Sequence, residues 1–166
     1  MSELELYRWG VGLMLAAAAG TAVATGLVTA PYGRHQRGGW GPTLPARLGW
    51  VLMEAPSCLF FLALFFAGDH ALEAVPLVLL GFWQLHYVHR TFVYPFRLRG
   101  RGKRMPVLIA AMGALFNVFN AYLNARWISH FGSYAPEWLS DPRFLAGAGL
   151  FLLGFAVNLQ AKKKKH

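Results

Sequence analysis

The sequence is poor in charged side chains, and acidic residues are the scarcest, since seven Asp and Glu stand against 16 Lys and Arg. Charged residues make up 14% of the chain, whereas soluble domains usually carry about 25%. Apolar residues make up 56%, and they lie in long runs rather than being scattered. This pattern excludes an ordinary soluble domain and indicates an integral membrane protein.

Several kinds of chemistry lack the residues that they need. Cys58 is the single cysteine, which excludes an internal disulfide. No G-x-G-x-x-G or P-loop motif occurs, no Cys/His cluster has the spacing of a metal site, and no Ser/His/Asp arrangement has a supporting motif. The formal charge is +9, but the basic residues lie in short loops, where they orient a membrane protein. We therefore expect neither a metal nor a nucleic-acid partner.

Five apolar stretches are long enough to cross about 30 Å of hydrocarbon: 9–30, 48–67, 74–96, 105–128 and 144–161. Asp141 and Pro142 form a typical helix start for the last of them. The first loop, the third loop and the C-terminus are basic, whereas the intervening segments are net acidic. By the positive-inside rule, the N-terminus lies outside and the C-terminus in the cytoplasm. The sequence predicts an all-α, polytopic transmembrane helix bundle of about five spans, surrounded by membrane lipid.

Glu54 is the clearest ionisable residue inside a predicted span. A charge at this depth costs several kcal/mol unless it is paired or hydrated, so it is a candidate functional group. Pro56 follows and removes a helix hydrogen bond, which leaves nearby carbonyls free to meet a ligand or water. The alternative is a buried Glu paired with an arginine for packing specificity alone.

The segment LHYVHRTFVY, residues 85–94, places further polar side chains at membrane depth. On a helix, five side chains fall within one arc of roughly 100°: Trp83, His86, Tyr87, Arg90 and Tyr94. Such a stripe faces a protein interior or an aqueous cavity. Snorkelling to the headgroups is the alternative, and it explains Arg90 and Tyr94 better than the deeper His86 and Tyr87.

A second stripe lies in the fourth predicted span, where Asn117, Asn120 and Asn124 occupy an arc of about 60°. These asparagines either join helices by hydrogen bonds or line a polar pocket, and the residues do not separate the two readings. Arg126 follows near the outer end and is interpreted as an interfacial anchor. In the last span, Asn158 approaches the cytoplasmic face, where a cofactor could meet it.

A tyrosine hydroxyl and a carboxyl group in a dry pocket suit the polarisation of a substrate carbonyl. Burial favours the protonated carboxyl group, which can then donate a hydrogen bond. A conjugated enone held in this way develops negative charge on oxygen as hydride arrives, and preorganised donors stabilise that charge. The hydride comes from a cofactor, because no side chain supplies one. From the residues alone, the chain is a membrane-embedded enzyme or transporter with a polar site.

The segments PYGRH, MEAPS, LHYVHRTFVY, DPRF and GFAVNLQ, in this order, resemble the steroid 5α-reductase family, the 3-oxo-5α-steroid 4-dehydrogenases. The resemblance implies NADPH-dependent reduction of the Δ4 double bond of a 3-oxosteroid, with hydride to C5 and a proton to C4. It implies that Tyr87 and Glu54 hold the C3 carbonyl and that Asn158, Tyr32 and Arg34 contact the cofactor. The predicted substrate-binding residues are Trp50, Trp83, His86, Arg90, Asn117 and Asn120.

The resemblance covers roughly residues 1–161, about the first two-thirds of a typical family member. We expect 1–161 to form a membrane-embedded, steroid-reductase-like domain that is incomplete at its C-terminal cofactor part. Lys162 stands where the family has an aspartate, and the basic tail 162–166 is interpreted as a cloning scar, a truncation or a lipid anchor. On this interpretation the chain alone is weakly active or inactive.

Other functions stay open at this point. The sister reductases act on enoyl thioesters or polyprenol-type lipids. A small transporter subunit would use Glu54, His86, Arg90 and the asparagines as a polar path, and a scaffold would use them only to fix helix register. The Ala-, Gly- and Arg-rich composition favours a bacterial inner membrane over the endoplasmic reticulum.

Overall fold

The computed structural model describes residues 1–28, 39–97 and 102–163, with side chains described as far as residue 160. The helices are α1 (Glu3–Leu27), α2 (Ala46–Ala55), α3 (Phe61–Phe66), α4 (Ala74–Val88), α5 (Tyr94–Arg97), α6 (Val107–Arg126) and α7 (Pro142–Lys163). Three π-helical turns extend or join them, at Pro56–Phe60, His89–Val93 and Trp127–Phe131, and a 3₁₀ turn covers Pro136–Ser140.

Four helical segments of the described residues are long and apolar enough to cross a membrane: Glu3–Leu27, Ala46–Phe66, Val107–Phe131 and Pro142–Gln160. The predicted all-α polytopic membrane bundle is therefore confirmed. The predicted span 74–96 is a helix, formed by α4, a π turn and α5, but it is not among the four. The reason is the polar stripe around His86 and Arg90, which breaks up its apolar run. The sidedness of the termini stays a prediction.

Two short strands are an addition to the predicted architecture. β1 (Thr43–Pro45) pairs antiparallel with β2 (Arg104–Pro106), and Leu44 lies opposite Met105. Each strand ends in a proline that directly precedes a long helix, α2 or α6. A proline cannot donate to a ladder but is well suited to a helix start, so strand and helix change over there. The pairing sets the beginnings of α2 and α6 side by side.

Helices α2 and α6 pack closely because small residues face large ones. A Cβ atom on Gly49 would lie 2.8 Å from Met105 Sδ, and one on Gly113 would collide with the Met53 side chain. Glycine at position 113 therefore lets α6 approach α2, and glycine at position 49 lets α2 lie against Met105 of β2. Farther along, a buried cluster continues the same interface: Phe61, Phe65, Ala71, Ala121 and Ala125.

The outer helices α1 and α7 are attached at few points. Within the membrane-length windows of both helices no residue is buried. Helix α1 is held near its start, where Glu3 pairs with Arg126 and the Tyr7 ring lies 6.0 Å from Trp127. Helix α7 begins at Pro142 as predicted, and Arg143 N donates to Asp141 Oδ1 at 2.8 Å. Hydrogen bonds from Arg143 lower the pKa of Asp141 to about 2, so this carboxylate is charged at the helix start.

Candidate functional site

The π-helical turn after Glu54 is the first element of the site. Pro56 has no N–H, so the carbonyl one turn before it loses its regular partner, and the chain continues as a π-helical turn, Pro56–Phe60. Side chains of α4 take over, since Trp83 Nε1 donates to Ser57 O at 2.7 Å and Gln84 Nε2 donates to Cys58 O at 3.1 Å. Two carbonyls of the π turn thus join it to α4.

Glu54 is buried, with 2% of its surface exposed, and it is paired. Arg90 Nε lies 2.7 Å from Glu54 Oε1, and the Arg90 guanidinium lies 5.2 Å from the centre of the Trp50 ring. Asn117 Nδ2 approaches the other carboxylate oxygen at 3.4 Å. The ion pair with an arginine, which the sequence offered as an alternative, is therefore present in the fold.

Asn117 joins α6 to the turn at Pro56. Its Nδ2 donates to Met53 O at 2.7 Å, and its Oδ1 accepts a hydrogen bond from Ser57 Oγ at 2.9 Å. Asn117 is 6% exposed and Ser57 is fully buried. The asparagine stripe was predicted either to join helices by hydrogen bonds or to line a polar pocket. Asn117 does the former, because its amide joins α6 to the turn after α2.

The Tyr87 hydroxyl lies at the centre of these groups. Its oxygen accepts a hydrogen bond from Asn120 Nδ2 at 3.2 Å. The Tyr87 ring packs 4.7 Å from the Trp83 ring and 5.0 Å from His86. We call these residues the polar cluster: Glu54, Ser57, Tyr87, Arg90, Asn117 and Asn120.

Asn124 extends the polar cluster toward α1. Its Nδ2 donates to both Asn120 O, at 2.9 Å, and Asn120 Oδ1, at 3.0 Å. Asn124 also lines a groove of about 480 Å³ between α1 and α6, together with Tyr7, Arg8, Val11, Leu123 and Trp127. The groove is mainly apolar, so Asn124 is a polar contact between an apolar surface and the Tyr87 hydroxyl.

The predicted cofactor residue Asn158 reaches the edge of the same region. It is exposed and lines a narrow cleft between α7 and the helix that carries the stripe, with His86, His89, Arg90, Tyr94, Phe155 and Leu159. The cleft has a volume of about 30 Å³, which suits one water molecule rather than a nicotinamide ring. This cleft alone does not accommodate a dinucleotide, and the role of Asn158 in cofactor binding stays a prediction. Tyr32 and Arg34 lie outside the described residues.

The fold brings together most of the predicted site residues. Tyr87, Glu54, Arg90, Asn117 and Asn120 are linked by hydrogen bonds or one ion pair, and Trp50 and Trp83 cover their edges. His86 lines the cleft and touches Tyr87 edge-on. In the described part of the chain, no group of three or more His, Cys, Asp or Glu side chains is placed to hold a metal ion.

Two contributors were missed by sequence reasoning. Ser57 follows Pro56 directly, and its value as a link depends on the π turn, which shifts the register of the helix. Arg126 was interpreted as an interfacial anchor, but only 7% of it is exposed. Its guanidinium makes two hydrogen bonds to Glu3 and one to Ala67 O, because α1 returns across the end of α6. A buried partner from another helix leaves no signal in the local sequence.

Comparison with known proteins gives a consistent assignment. The sequence model of the 3-oxo-5-alpha-steroid 4-dehydrogenase family matches residues 103–165. The chain is 36% identical over 169 residues to steroid 5-alpha-reductase DET2 of Arabidopsis thaliana, which covers 98% of the chain and 64% of that protein. It is 42% identical over 133 residues to 3-oxo-5-alpha-steroid 4-dehydrogenase 1 of Macaca fascicularis, covering 78% of the chain and 50% of that protein.

The chain thus spans less than two thirds of the length of these curated relatives. The matched part includes the helices that build the polar cluster, since the Arabidopsis alignment extends over nearly the whole chain. The chain belongs to the steroid 5α-reductase family.

Proposed function

We propose that this protein reduces the Δ4 double bond of a 3-oxosteroid to the 5α-steroid, with Tyr87 holding the C3 carbonyl. The observation that carries the proposal is the environment of the Tyr87 hydroxyl. Its oxygen accepts from Asn120 Nδ2 at 3.2 Å, so its hydrogen is left to donate on the opposite side. Family membership supplies the substrate class, since the relatives are named for reduction or dehydrogenation of steroids.

The reaction needs a donor at the carbonyl oxygen. When hydride reaches C5, the electrons of the C4–C5 bond move toward the C3 oxygen, and a proton then goes to C4. A hydrogen bond from Tyr87 to that oxygen is stronger in the transition state than in the bound ketone, because negative charge has developed there. Loss of one such donor typically costs on the order of 100-fold in rate.

Glu54 and Arg90 act as a pair in this proposal. Arg90 Nε donates to Glu54 Oε1 at 2.7 Å, so this oxygen is an acceptor, and the donating role of the carboxyl group expected from the sequence stays a prediction. The pair keeps a guanidinium close to the site, where its positive charge offsets the charge that develops on the substrate oxygen. Trp83, Phe61 and the Tyr87 ring exclude water from one side, since the Phe61 and Trp83 rings stack at 4.3 Å.

NADPH is the proposed reductant, and it would supply the hydride. The support is the family resemblance, since the cleft at Asn158 is too small for a nicotinamide ring. The predicted location is a bacterial inner membrane, and the relatives reported above come from a plant and a mammal. The membrane-spanning helices fit a lipid-soluble substrate in either membrane.

The transporter alternative has less support than the enzyme. A polar path needs side chains that remain open to a passing solute, whereas Glu54, Asn117 and Ser57 are engaged with one another or with Arg90. If the protein instead reduced another conjugated carbonyl compound, Tyr87 would donate to that carbonyl in the same way. A comparison of substrates therefore distinguishes a steroid reductase from a related reductase.

The test is turnover by membranes that contain this chain, given NADPH and a Δ4-3-oxosteroid such as progesterone. The product is resolved by mass spectrometry and by its stereochemistry at C5. We expect at most weak turnover from this chain, because it spans less than two thirds of the length of its relatives, and any 5α-reduced product should form about 100-fold more slowly in Tyr87→Phe, while steroid binding is weakened much less. Tyr134→Phe is the matched control, because Tyr134 lies in the loop before the 3₁₀ turn, away from the polar cluster.

Two results would count against the proposal. If the chain neither binds nor reduces the steroid, the proposed substrate is wrong for this polypeptide. If Tyr87→Phe reduces the steroid as fast as the unmodified chain, the assignment of Tyr87 as the donor is wrong.

A further inference from the structure

The direction of the Tyr87 hydroxyl decides whether Tyr87 can serve a substrate at all. A phenol has one hydrogen, and it can give that hydrogen either to a ligand or to a neighbouring protein acceptor. An asparagine side chain next to it can present either its NH₂ group or its oxygen. The protein must therefore fix the amide of Asn120 in one of two orientations, and the wrong one would consume the hydroxyl hydrogen.

Asn124 fixes that orientation. Its Nδ2 donates to Asn120 Oδ1 at 3.0 Å and to the main-chain oxygen of Asn120 at 2.9 Å. A main-chain carbonyl only accepts hydrogen bonds, so Asn124 must keep its NH₂ group on this side. Asn120 Oδ1 is thereby used as an acceptor, and Asn120 must present its NH₂ group to Tyr87, at 3.2 Å.

Asn117, one turn earlier on α6, is fixed in the same way. Its Nδ2 donates to the main-chain oxygen of Met53 at 2.7 Å, which again fixes the amide by a pure acceptor. Asn117 Oδ1 then accepts from Ser57 Oγ at 2.9 Å. The Ser57 hydrogen is therefore already used and does not compete with Asn120 for the Tyr87 oxygen.

We propose that Asn120 and Asn124 are positioning residues that orient the Tyr87 hydroxyl, so that its hydrogen is kept from Asn120 and is available to the substrate carbonyl. This inference rests on the proposed function for its consequence, but the orientation itself is a property of the ligand-free protein. We call Asn124, Asn120 and Tyr87 the amide relay. The relay starts from a main-chain carbonyl and ends at the substrate.

The sharpest variant is Asn124→Asp, which keeps the size of the side chain but removes its donor. An ionised carboxylate only accepts, so the Asn120 amide must turn its NH₂ group toward residue 124 and its oxygen toward Tyr87. The Tyr87 hydroxyl then donates to Asn120 and is lost to a ligand. Acidification protonates the new carboxyl group, restores a donor and reverses the effect.

The first readout needs no ligand. Ultraviolet resonance Raman spectra report whether a phenol oxygen donates or accepts, and subtraction of the Tyr87→Phe spectrum isolates Tyr87 from the other tyrosines. We expect Tyr87 to change from acceptor to donor in Asn124→Asp at high pH and to recover on acidification. Asn124→Ala, which leaves the Asn120 amide unanchored, should give a mixture of both states. A merely structural role of Asn124 would leave the Tyr87 spectrum unchanged.

The second readout uses a Δ4-3-oxosteroid with ¹³C at C3, bound to the protein in detergent or lipid. The infrared carbonyl band should lie at lower frequency in the unmodified chain than in Tyr87→Phe, and Asn124→Asp should move it most of the way to the Tyr87→Phe position. We expect the affinity for the steroid to fall about tenfold in Asn124→Asp, the equivalent of one hydrogen bond. Ser129→Ala is the control, because Ser129 is buried in the π turn that continues α6 and its hydroxyl donates locally to Ala125 O.

The outcomes of the two readouts are separable. An unchanged Tyr87 Raman signal in Asn124→Asp overturns the amide relay, whatever the steroid does. A carbonyl band in the unmodified chain that does not respond to Tyr87→Phe, or no binding of the steroid, overturns the proposed function instead. If Ser129→Ala shifts the Tyr87 signal as much as Asn124→Asp does, the effect is a general loosening of α6 and the relay is also overturned.

Discussion

The guanidinium of Arg90 lies 2.7 Å from the carboxylate of Glu54, measured from Nε to Oε1, and this pair joins two helices beside the Tyr87 hydroxyl. Glu54 is almost fully buried, whereas 40% of the Arg90 side chain is exposed. The arginine thus extends from the surface into the bundle. Arg90 is the second residue of the π turn His89–Val93, and its side chain reaches Glu54 on α2.

Removal of Arg90 alone should destabilise the fold, because it leaves the Glu54 charge buried and unpaired. We expect Arg90→Gln to lower the free energy of unfolding by about 2 kcal/mol, less than for a fully buried pair because Arg90 is partly hydrated. The double variant Glu54→Gln with Arg90→Gln should recover most of the loss. Unfolding in mild detergent, followed by tryptophan fluorescence, measures all three proteins. Arg143→Gln is the control, since its pair with Asp141 is exposed and should matter little. Equal losses in the single and double variants would contradict the prediction.

Gly113 should be essential to the approach of α2 and α6. A methyl group at this position collides with the Met53 side chain, so we expect Gly113→Ala to cost about 1–3 kcal/mol. Gly154→Ala, with no atom within 4 Å of the added methyl group, should be neutral or slightly stabilising because alanine favours the helix. Thermal unfolding in detergent compares the two. Met53→Ala should rescue Gly113→Ala, and failure of that rescue would show that another contact controls the spacing.

Trp83 should stabilise the π turn through its indole N–H. Trp83→Phe keeps a ring against Phe61 but leaves Ser57 O without its donor, so we expect a loss of about 1 kcal/mol. Hydrogen exchange at the amides around Pro56 should increase along with the global loss. Trp138→Phe is the matched control. Trp138 lies in the 3₁₀ turn, its ring packs against Arg143 of α7, and a phenylalanine ring keeps that contact. If the amides around Pro56 exchange equally slowly in both variants, the hydrogen bond from Gln84 to Cys58 O is enough to hold the π turn.

Glu3 should hold the start of α1 against the bundle. Arg126 is buried and makes two hydrogen bonds to the Glu3 carboxylate, so Glu3→Gln weakens the attachment of a helix that has few other contacts. Spin labels at positions 12 and 116, in a Cys58→Ala background, should show a broader distance distribution in Glu3→Gln. Glu5→Gln is the control, because Glu5 bonds only within the capping box of α1. An unchanged distribution in Glu3→Gln would assign the attachment to the aromatic contacts of Tyr7 alone.

Much of the architecture could be predicted from the sequence because each span carries its own signal. Long apolar runs, the Asp141–Pro142 helix start and the alternating loop charges are local properties, and hydrocarbon requires helices for such segments. The polar stripe through Tyr87 and Arg90 was also local, since helical periodicity alone places these side chains on one face. The span at 74–96 shows the limit of this reasoning, because the same stripe makes its helix too polar to rank with the other four.

The partners within the stripe could not be predicted, because they come from distant parts of the chain. Glu54 meets Arg90 across 36 positions, and Arg126 meets Glu3 across 123. The residues identified Glu54 as a buried acid in need of a partner but did not identify which arginine supplies it. Likewise, three asparagines on one face of α6 have three different tasks, which depend on the elements they face.

The sequence by itself determined that the protein is a helical membrane bundle with a tyrosine, a glutamate and a row of asparagines inside its spans. The length of an apolar run and the helical period are properties of the local sequence. The tertiary structure decided how those groups are used. Pairing with Arg90 makes Glu54 an acceptor, and Asn124 turns the Asn120 amide toward Tyr87. The physical reason is that hydrogen-bond direction depends on which donor and acceptor face each other, and only packing between helices fixes that.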